Sequence, residues 1–154
     1  MELSHRAATL DDADLLLAWR NAPNVRALSQ NGEVISIDEH LRWFLARLER
    51  VQFEPFFLFL EDQKVIGMTR SDLISEETDR FEISILIDPS QQGKRLGTKI
   101  LDFSCKNLFD LYPRGTIIAK VHKVNHVSQR LFLRAEFELL EPSGDFLIFE
   151  KHHN

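Results

Sequence analysis

The chain has 154 residues, 19 basic and 24 acidic, with a formal net charge of -5. This length suits one domain over 1–154, and 44% hydrophobic residues with 12 Phe supply a core. The acidic balance argues against a nucleic-acid binder, and the lone Cys105 excludes an intramolecular disulfide and a four-Cys metal site. No apolar run reaches the ~18–20 residues of a membrane span, and no basic-then-apolar leader opens the chain. The reading is a soluble cytoplasmic protein with no metal, membrane or nucleic-acid partner.

Residues 1–7 predict a short strand. Thr9 with Asp12 predicts an N-cap and acidic first turn, opening a helix whose face is Leu15, Leu16, Ala18 and Trp19 and which ends near Pro23. Ser36 with Glu39 is a capping box for a helix through about Arg50, with Leu41, Phe44, Leu45 and Leu48 inward. The period then changes. Residues 56–60 predict a buried strand, Asp62 and Gln63 a tight turn, and 64–73 the returning partner. Residues 74–79 are a polar connection.

Residues 81–87 alternate, with Phe81, Ile83, Ile85 and Ile87 on one face and Glu82, Ser84 and Leu86 on the other, until Pro89. A helix over 96–109 has Ile100, Leu101, Leu108 and Leu111 inward. A turn at 112–115 leads to a strand over 116–122, a helix over 127–134 started by Asn125, and a last hairpin of 137–140 with 146–151. The order β-α-α-β-β-β-α-β-α-β-β is an α/β sheet of mixed direction.

The most informative stretch is 81–99, where a strand runs through a short Gly/Lys/Arg loop into an amphipathic helix. Such a loop gathers backbone N–H groups and the positive end of a helix dipole, a site for phosphate. Gly93 and Gly97 permit close approach, Lys94 and Arg95 add charge, and Thr98 offers a hydroxyl. The spacing is neither a Walker A loop nor a dinucleotide fingerprint.

Gln92 and Gly97 match the ends of the (Gln/Arg)-x-x-Gly-x-(Gly/Ala) loop of the GNAT acetyltransferases, with Arg95 where that loop has a middle glycine. Residues 125–137 resemble the same family's N-x-x-S-x-x-L-(Y/F)-x-K-x-G-F segment, with Glu136 in place of its glycine and Phe132 where a proton-donating tyrosine often stands. The resemblance implies a GNAT-like, mostly antiparallel sheet flanked by about four helices, and acetyl-CoA as the acyl donor. It implies a cofactor site of Leu86, Ile87, Gln92, Gly93, Lys94, Arg95, Leu96, Gly97, Thr98, Asn125, Ser128, Phe132 and Arg134. The amides of Leu86 and Ile87 would meet the pantetheine arm or the thioester carbonyl, the loop the pyrophosphate, and Phe137 would seal the core.

Attack on a thioester requires a neutral amine, so a general base is expected. Glu82 is the first candidate, His122 the second and Asp88 the third. The segments W-R-N-x-P-x-V-R and I-S-x-x-E-H-x-x-W-F look like the acetyltransferases of nucleotide-linked amino sugars in the pseudaminic- and legionaminic-acid pathways. On that resemblance Arg20 and Arg26 would pair with a nucleotide diphosphate, Asn21 and His40 with sugar hydroxyls, and Trp43 would offer a stacking face. The partner is then a small-molecule acceptor amine, a nucleotide sugar first. Peptide N-termini, small amines, a non-catalytic CoA-binding module and a protein-interaction domain are the alternatives. A homodimer through the last hairpin fits the fold.

Overall fold

The computed structural model describes residues 3–91 and 95–153. The loop residues Gln92, Gly93 and Lys94 lie outside the described residues. The elements are β1 (Leu3–Ala7), α1 (Ala13–Asn21), α2 (Pro23–Ala27), α3 (Ile37–Leu48), β2 (Phe56–Glu61), β3 (Lys64–Ser75), β4 (Arg80–Ile87), α4 (Leu96–Leu111), β5 (Thr116–His122), α5 (His126–Arg134), β6 (Glu138–Leu139) and β7 (Phe146–His152). One seven-stranded sheet runs β1-β2-β3-β4-β5-β7-β6. Every neighbouring pair is antiparallel except β4 with β5.

Strand alternation sorts the core into two layers. Phe81 and Ile83 of β4, with Ile117, Ala119 and Val121 of β5, meet Leu101, Cys105 and Leu108 of α4 and Phe132 of α5. On the opposite face Phe56, Leu58 and Met68 pack against Leu16 and Trp19 of α1 and Phe44 of α3. Burial holds the Cys105 thiol up at about 12, so it is an inert core residue. Among the described residues, no helix is long and apolar enough to cross a membrane.

The element order is as expected from the sequence, with corrections in the helices. Pro23 starts the extra helix α2 at its first turn, a position that needs no N–H, as well as closing α1. The buried positions of α1 are Ala13, Leu16 and Trp19, while Leu15 is exposed. The stripe α3 buries is His40, Phe44 and Arg47, and Leu45 faces water. Leu111 at the end of α4 is exposed too. The first arm of the last hairpin is two residues long, because the chain leaves α5 through a tight cap that puts Phe137 into the core.

Arg47 is 1% exposed and ties α3 to the sheet. Its Nε donates to Asp72 Oδ1 at 2.8 Å, Nη1 to Glu54 O at 2.7 Å and Nη2 to Ser71 O at 2.9 Å. Asp72 also accepts from Arg70 Nε at 2.8 Å. Burial alone would raise the Asp72 carboxyl, but the two guanidiniums hold it below its ordinary value.

Candidate functional site

β4 and β5 pair only from Arg80–Thr116 to Glu82–Ile118. Beyond that point the strands separate, and a cleft of about 880 Å³ opens between them. Its walls include Ile83–Ile87 of β4, Lys120–His122 of β5, Arg95–Thr98 at the start of α4, and Asn125, Ser128, Leu131 and Phe132 around α5. Its outer end is closed by Arg20, Val25, Leu28 and Gln30 from the α1–α2 region and by Met68 and Arg70 of β3.

The parity of β4 decides which amides face this gap. Asp88 N–H donates to Ile66 O at 2.8 Å, and the register pairs Ile87 with Gly67 and Leu86 with Met68. Antiparallel ladders alternate, so the even residues of β4 bond β3 and the odd ones turn their N–H and C=O toward β5. Ile85 and Ile87 therefore present free backbone to the cleft. The Leu86 amide expected there is committed to β3, and the Leu86 side chain packs in the α1/α3 layer.

The start of α4 is the polar end of the cleft. Leu96, Gly97 and Thr98 fill the first turn, with no acidic side chain and no side-chain cap. Their N–H groups have no intrahelical acceptor, so this end is electropositive. The Leu96 side chain belongs to the core, and only its backbone serves the site. A Cβ on Gly97 would lie 3.2 Å from Leu131, so the missing side chain lets α4 and α5 approach closely.

Both departures from the expected glycines fall on left-handed backbone. Arg95 has φ 59° and Glu136 has φ 67°. At Glu136 the geometry is a Schellman cap of α5, with Phe137 N–H on Phe132 O at 3.0 Å and Glu136 N–H on Leu133 O at 3.1 Å. The Phe132 and Phe137 rings meet edge-on at 5.0 Å, the apolar contact that accompanies this motif. Glu136→Gly should therefore raise stability by about 1 kcal/mol in urea unfolding, since only glycine takes this conformation without strain.

Asn125 caps α5, its Oδ1 accepting from Ser128 N–H at 3.2 Å. Its Nδ2 amine makes no hydrogen bond among the described residues and lines the cleft with Ser128. Phe132 is 3% exposed, held between Phe137 and Phe149. Tyr112, the one tyrosine, donates its OH to Phe53 O at 2.7 Å and is not among the cleft residues. Arg134 is exposed and reaches the cleft.

Glu82 stands where β4 and β5 part. Oε2 accepts from Gln30 Nε2 at 3.0 Å, and Lys120 Nζ lies 3.8 Å from Oε1. His122 lines the cleft with its ring edge-on to Phe146 at 5.2 Å, and its Nδ1 accepts from Val124 N–H at 3.3 Å. With Nδ1 engaged by that amide, Nε2 is the ring nitrogen without a hydrogen bond among the described residues, and His122 stays the second candidate base. Asp88 Oδ1 accepts from Ser90 N–H and Oγ, both at 2.9 Å, and serves the turn after β4.

The residues expected to hold the acceptor divide sharply. Arg20 lines the cleft, with burial and the neighbouring Arg70 guanidinium both disfavouring its charge. The other four are structural. Asn21 clamps a loop, its Oδ1 accepting from Ile35 N–H and its Nδ2 donating to Ile35 O, both at 2.9 Å. Arg26 Nε donates to Asn21 O at 3.0 Å. His40 is 2% exposed, donates Nε2–H to Ala13 O at 3.0 Å, and is held below its ordinary value by burial. Trp43 is a platform, with Arg70 4.8 Å and Arg20 5.8 Å from its ring centroid.

Sequence reasoning missed Arg70, Lys120 and Gln30. The first two had a signal, being charged residues in strand interiors on the same alternation as Asp72 and Glu82; Gln30 had none. Among the described residues, Arg20, Arg70, Arg95, Lys120 and Arg134 line the cleft against one carboxylate, Glu82. A strongly positive cleft in a chain of net charge -5 draws in an anionic ligand.

Free strand edges, a helix start without a side-chain cap and a carboxylate at the fork suit an extended, phosphate-bearing ligand, as the acetyltransferase resemblance leads one to expect. The chain belongs to the acetyltransferase (GNAT) domain family, whose model matches residues 3–138. It is similar to Acetyltransferase PseH of Campylobacter jejuni, 26% identical over 135 residues, 88% of this chain and 82% of that protein. The fold is shared with yncA of Salmonella typhimurium, a putative acetyltransferase solved with its cofactor acetyl-CoA, at TM-score 0.84 and 19% identity over 100% of this chain and 95% of that one. It is also shared with the aminoglycoside acetyltransferase AAC(6')-Ib in complex with coenzyme A, at TM-score 0.81 and 19% identity over 98% and 95%. This protein is an acetyltransferase of the GNAT family.

Proposed function

We propose that this enzyme acetylates the primary amine of a nucleotide-linked amino sugar. The observation that carries the reading is the pair Arg20 and Arg70 beside Glu82 at the acceptor end of the cleft. Arg20 makes no hydrogen bond or ion pair among the described residues, and a diphosphate would supply the counter-charge it lacks. The resemblance of the N-terminal motifs to nucleotide-sugar acetyltransferases supports the same class.

The odd-numbered edge of β4 would receive acetyl-CoA, the start of α4 with Arg95 would hold its pyrophosphate, and Asn125 Nδ2 with Ser128 would hold its pantetheine arm. Glu82 accepts a proton from the amine, and the nitrogen attacks the thioester carbonyl. The C–S bond then breaks, the nitrogen gives up its second proton through water, and that proton passes to the thiolate, because Phe132 has none to give. The odd-residue amides of β4 are the donors available to the carbonyl oxygen as charge builds there. The same reading makes this a cytoplasmic enzyme.

Thermal shift with acetyl-CoA, with and without UDP, tests it, alongside rates on UDP-glucosamine, kanamycin and an N-terminal peptide. A ligand that binds only the native state raises Tm. The expected result is a rise with acetyl-CoA, a further rise with UDP, and turnover of the nucleotide-linked amine. No UDP effect, with faster turnover of kanamycin or the peptide, would overturn the nucleotide-sugar class and leave the acetyltransferase.

A further inference from the structure

Asn21 and Arg26 turn out to build a loop, and among the described residues that loop has one side-chain hydrogen bond to the sheet. Asn21 pins Ile35 at its far end, Arg26 reaches Asn21 O and Gly32 O, and Ser29 Oγ donates to Val25 O at 2.7 Å. Among the described residues, the only hydrogen bond from 28–34 to the sheet is Gln30 Nε2 to Glu82 Oε2 at 3.0 Å.

We propose that Gln30 is a positioning residue for the base, delivered to Glu82 by the loop over the acceptor end of the cleft. This rests on the reading of Glu82 as the base. The contact occupies Oε2 and leaves Oε1 to take the amine's proton, because Lys120 Nζ stands 3.8 Å from Oε1, beyond hydrogen-bond reach. A side-chain amide suits this task chemically. It donates N–H to Oε2 of the ionised carboxylate and goes on donating to the same oxygen, then a carbonyl, once Oε1 carries the proton, so it serves Glu82 on both sides of the proton transfer. The loop that closes the acceptor end thereby also fixes the rotamer of the group that activates the acceptor.

A double-mutant cycle on kcat tests this, using acetyl-CoA and whichever of UDP-glucosamine, kanamycin or the peptide turns over fastest. Gln30 is exposed, so its variants should fold. Gln30→Ala should lower kcat by about tenfold, the value of one hydrogen bond to a charged group, with KM for acetyl-CoA unchanged. In the Glu82→Gln background the same substitution should change nothing. Equal losses in both backgrounds, or no loss from Gln30→Ala while Glu82→Gln is severely impaired, would overturn the proposal. If Glu82→Gln itself keeps full activity, the base assignment has failed, and this inference fails with it.

Discussion

Glu82→Gln should lower kcat by about 100-fold or more while acetyl-CoA binds as before. A general base contributes about 100- to 10,000-fold, and the amide keeps the size of the carboxylate without its ability to take a proton. Glu82 sits at the fork of β4 and β5, beyond the stretch of cleft where the strand edges and the start of α4 would hold the cofactor. The loss should therefore appear in kcat and not in acetyl-CoA affinity, which calorimetry measures separately. Wild-type rates between about pH 6 and 9 would remove Glu82 from the mechanism and return attention to His122.

The second large effect is on stability. Arg47→Ala should destabilise the fold by about 3–5 kcal/mol, read from urea unfolding. The guanidinium is buried and satisfies Asp72 together with the carbonyls of Glu54 and Ser71. Truncation leaves two buried carbonyls unpaired and strips one cation from Asp72. The loss should extend to catalysis only through folding, because Arg47 is not among the cleft residues. A variant as stable as wild type would show that α3 docks through its apolar residues alone.

Arg47 also shows where the sequence was hard to read. The strands announce themselves by alternation and the helices by caps, so the element order and the strand–loop–helix at residues 81–99 were legible. The buried stripe of α3 was not, because two of its three members, His40 and Arg47, are polar residues whose burial depends on carbonyls far along the chain. Leu45 and Leu111 were assigned inward by type and point outward by geometry.

Among the described residues, those expected to hold the cofactor all line the cleft between β4 and β5, whereas of those expected to hold the acceptor Arg20 alone does. Gly97 and Asn125 were found by pattern, though each also has a packing or capping job. Arg95 and Glu136 stand where the motif has glycines. Both keep the left-handed backbone that glycine would take, so the shape survives at some cost in strain. Of the five residues expected to hold the acceptor, Arg20 alone lines the cleft, while Asn21, Arg26, His40 and Trp43 make contacts within the surrounding structure. No spacing rule separates a residue that holds a substrate from one that holds the loop beside it. Gln30 reaches Glu82 across 52 positions and carries no motif.

The most direct test of the central claim is an amide NMR titration of the full chain with acetyl-CoA. The account predicts shifts concentrated at Ile83–Ile87, Leu96–Thr98 and Asn125–Ser128, on the two sides of the β4/β5 gap. Shifts confined instead to the groove around Lys106, Phe109 and Lys151, on the far side of α4, would contradict it.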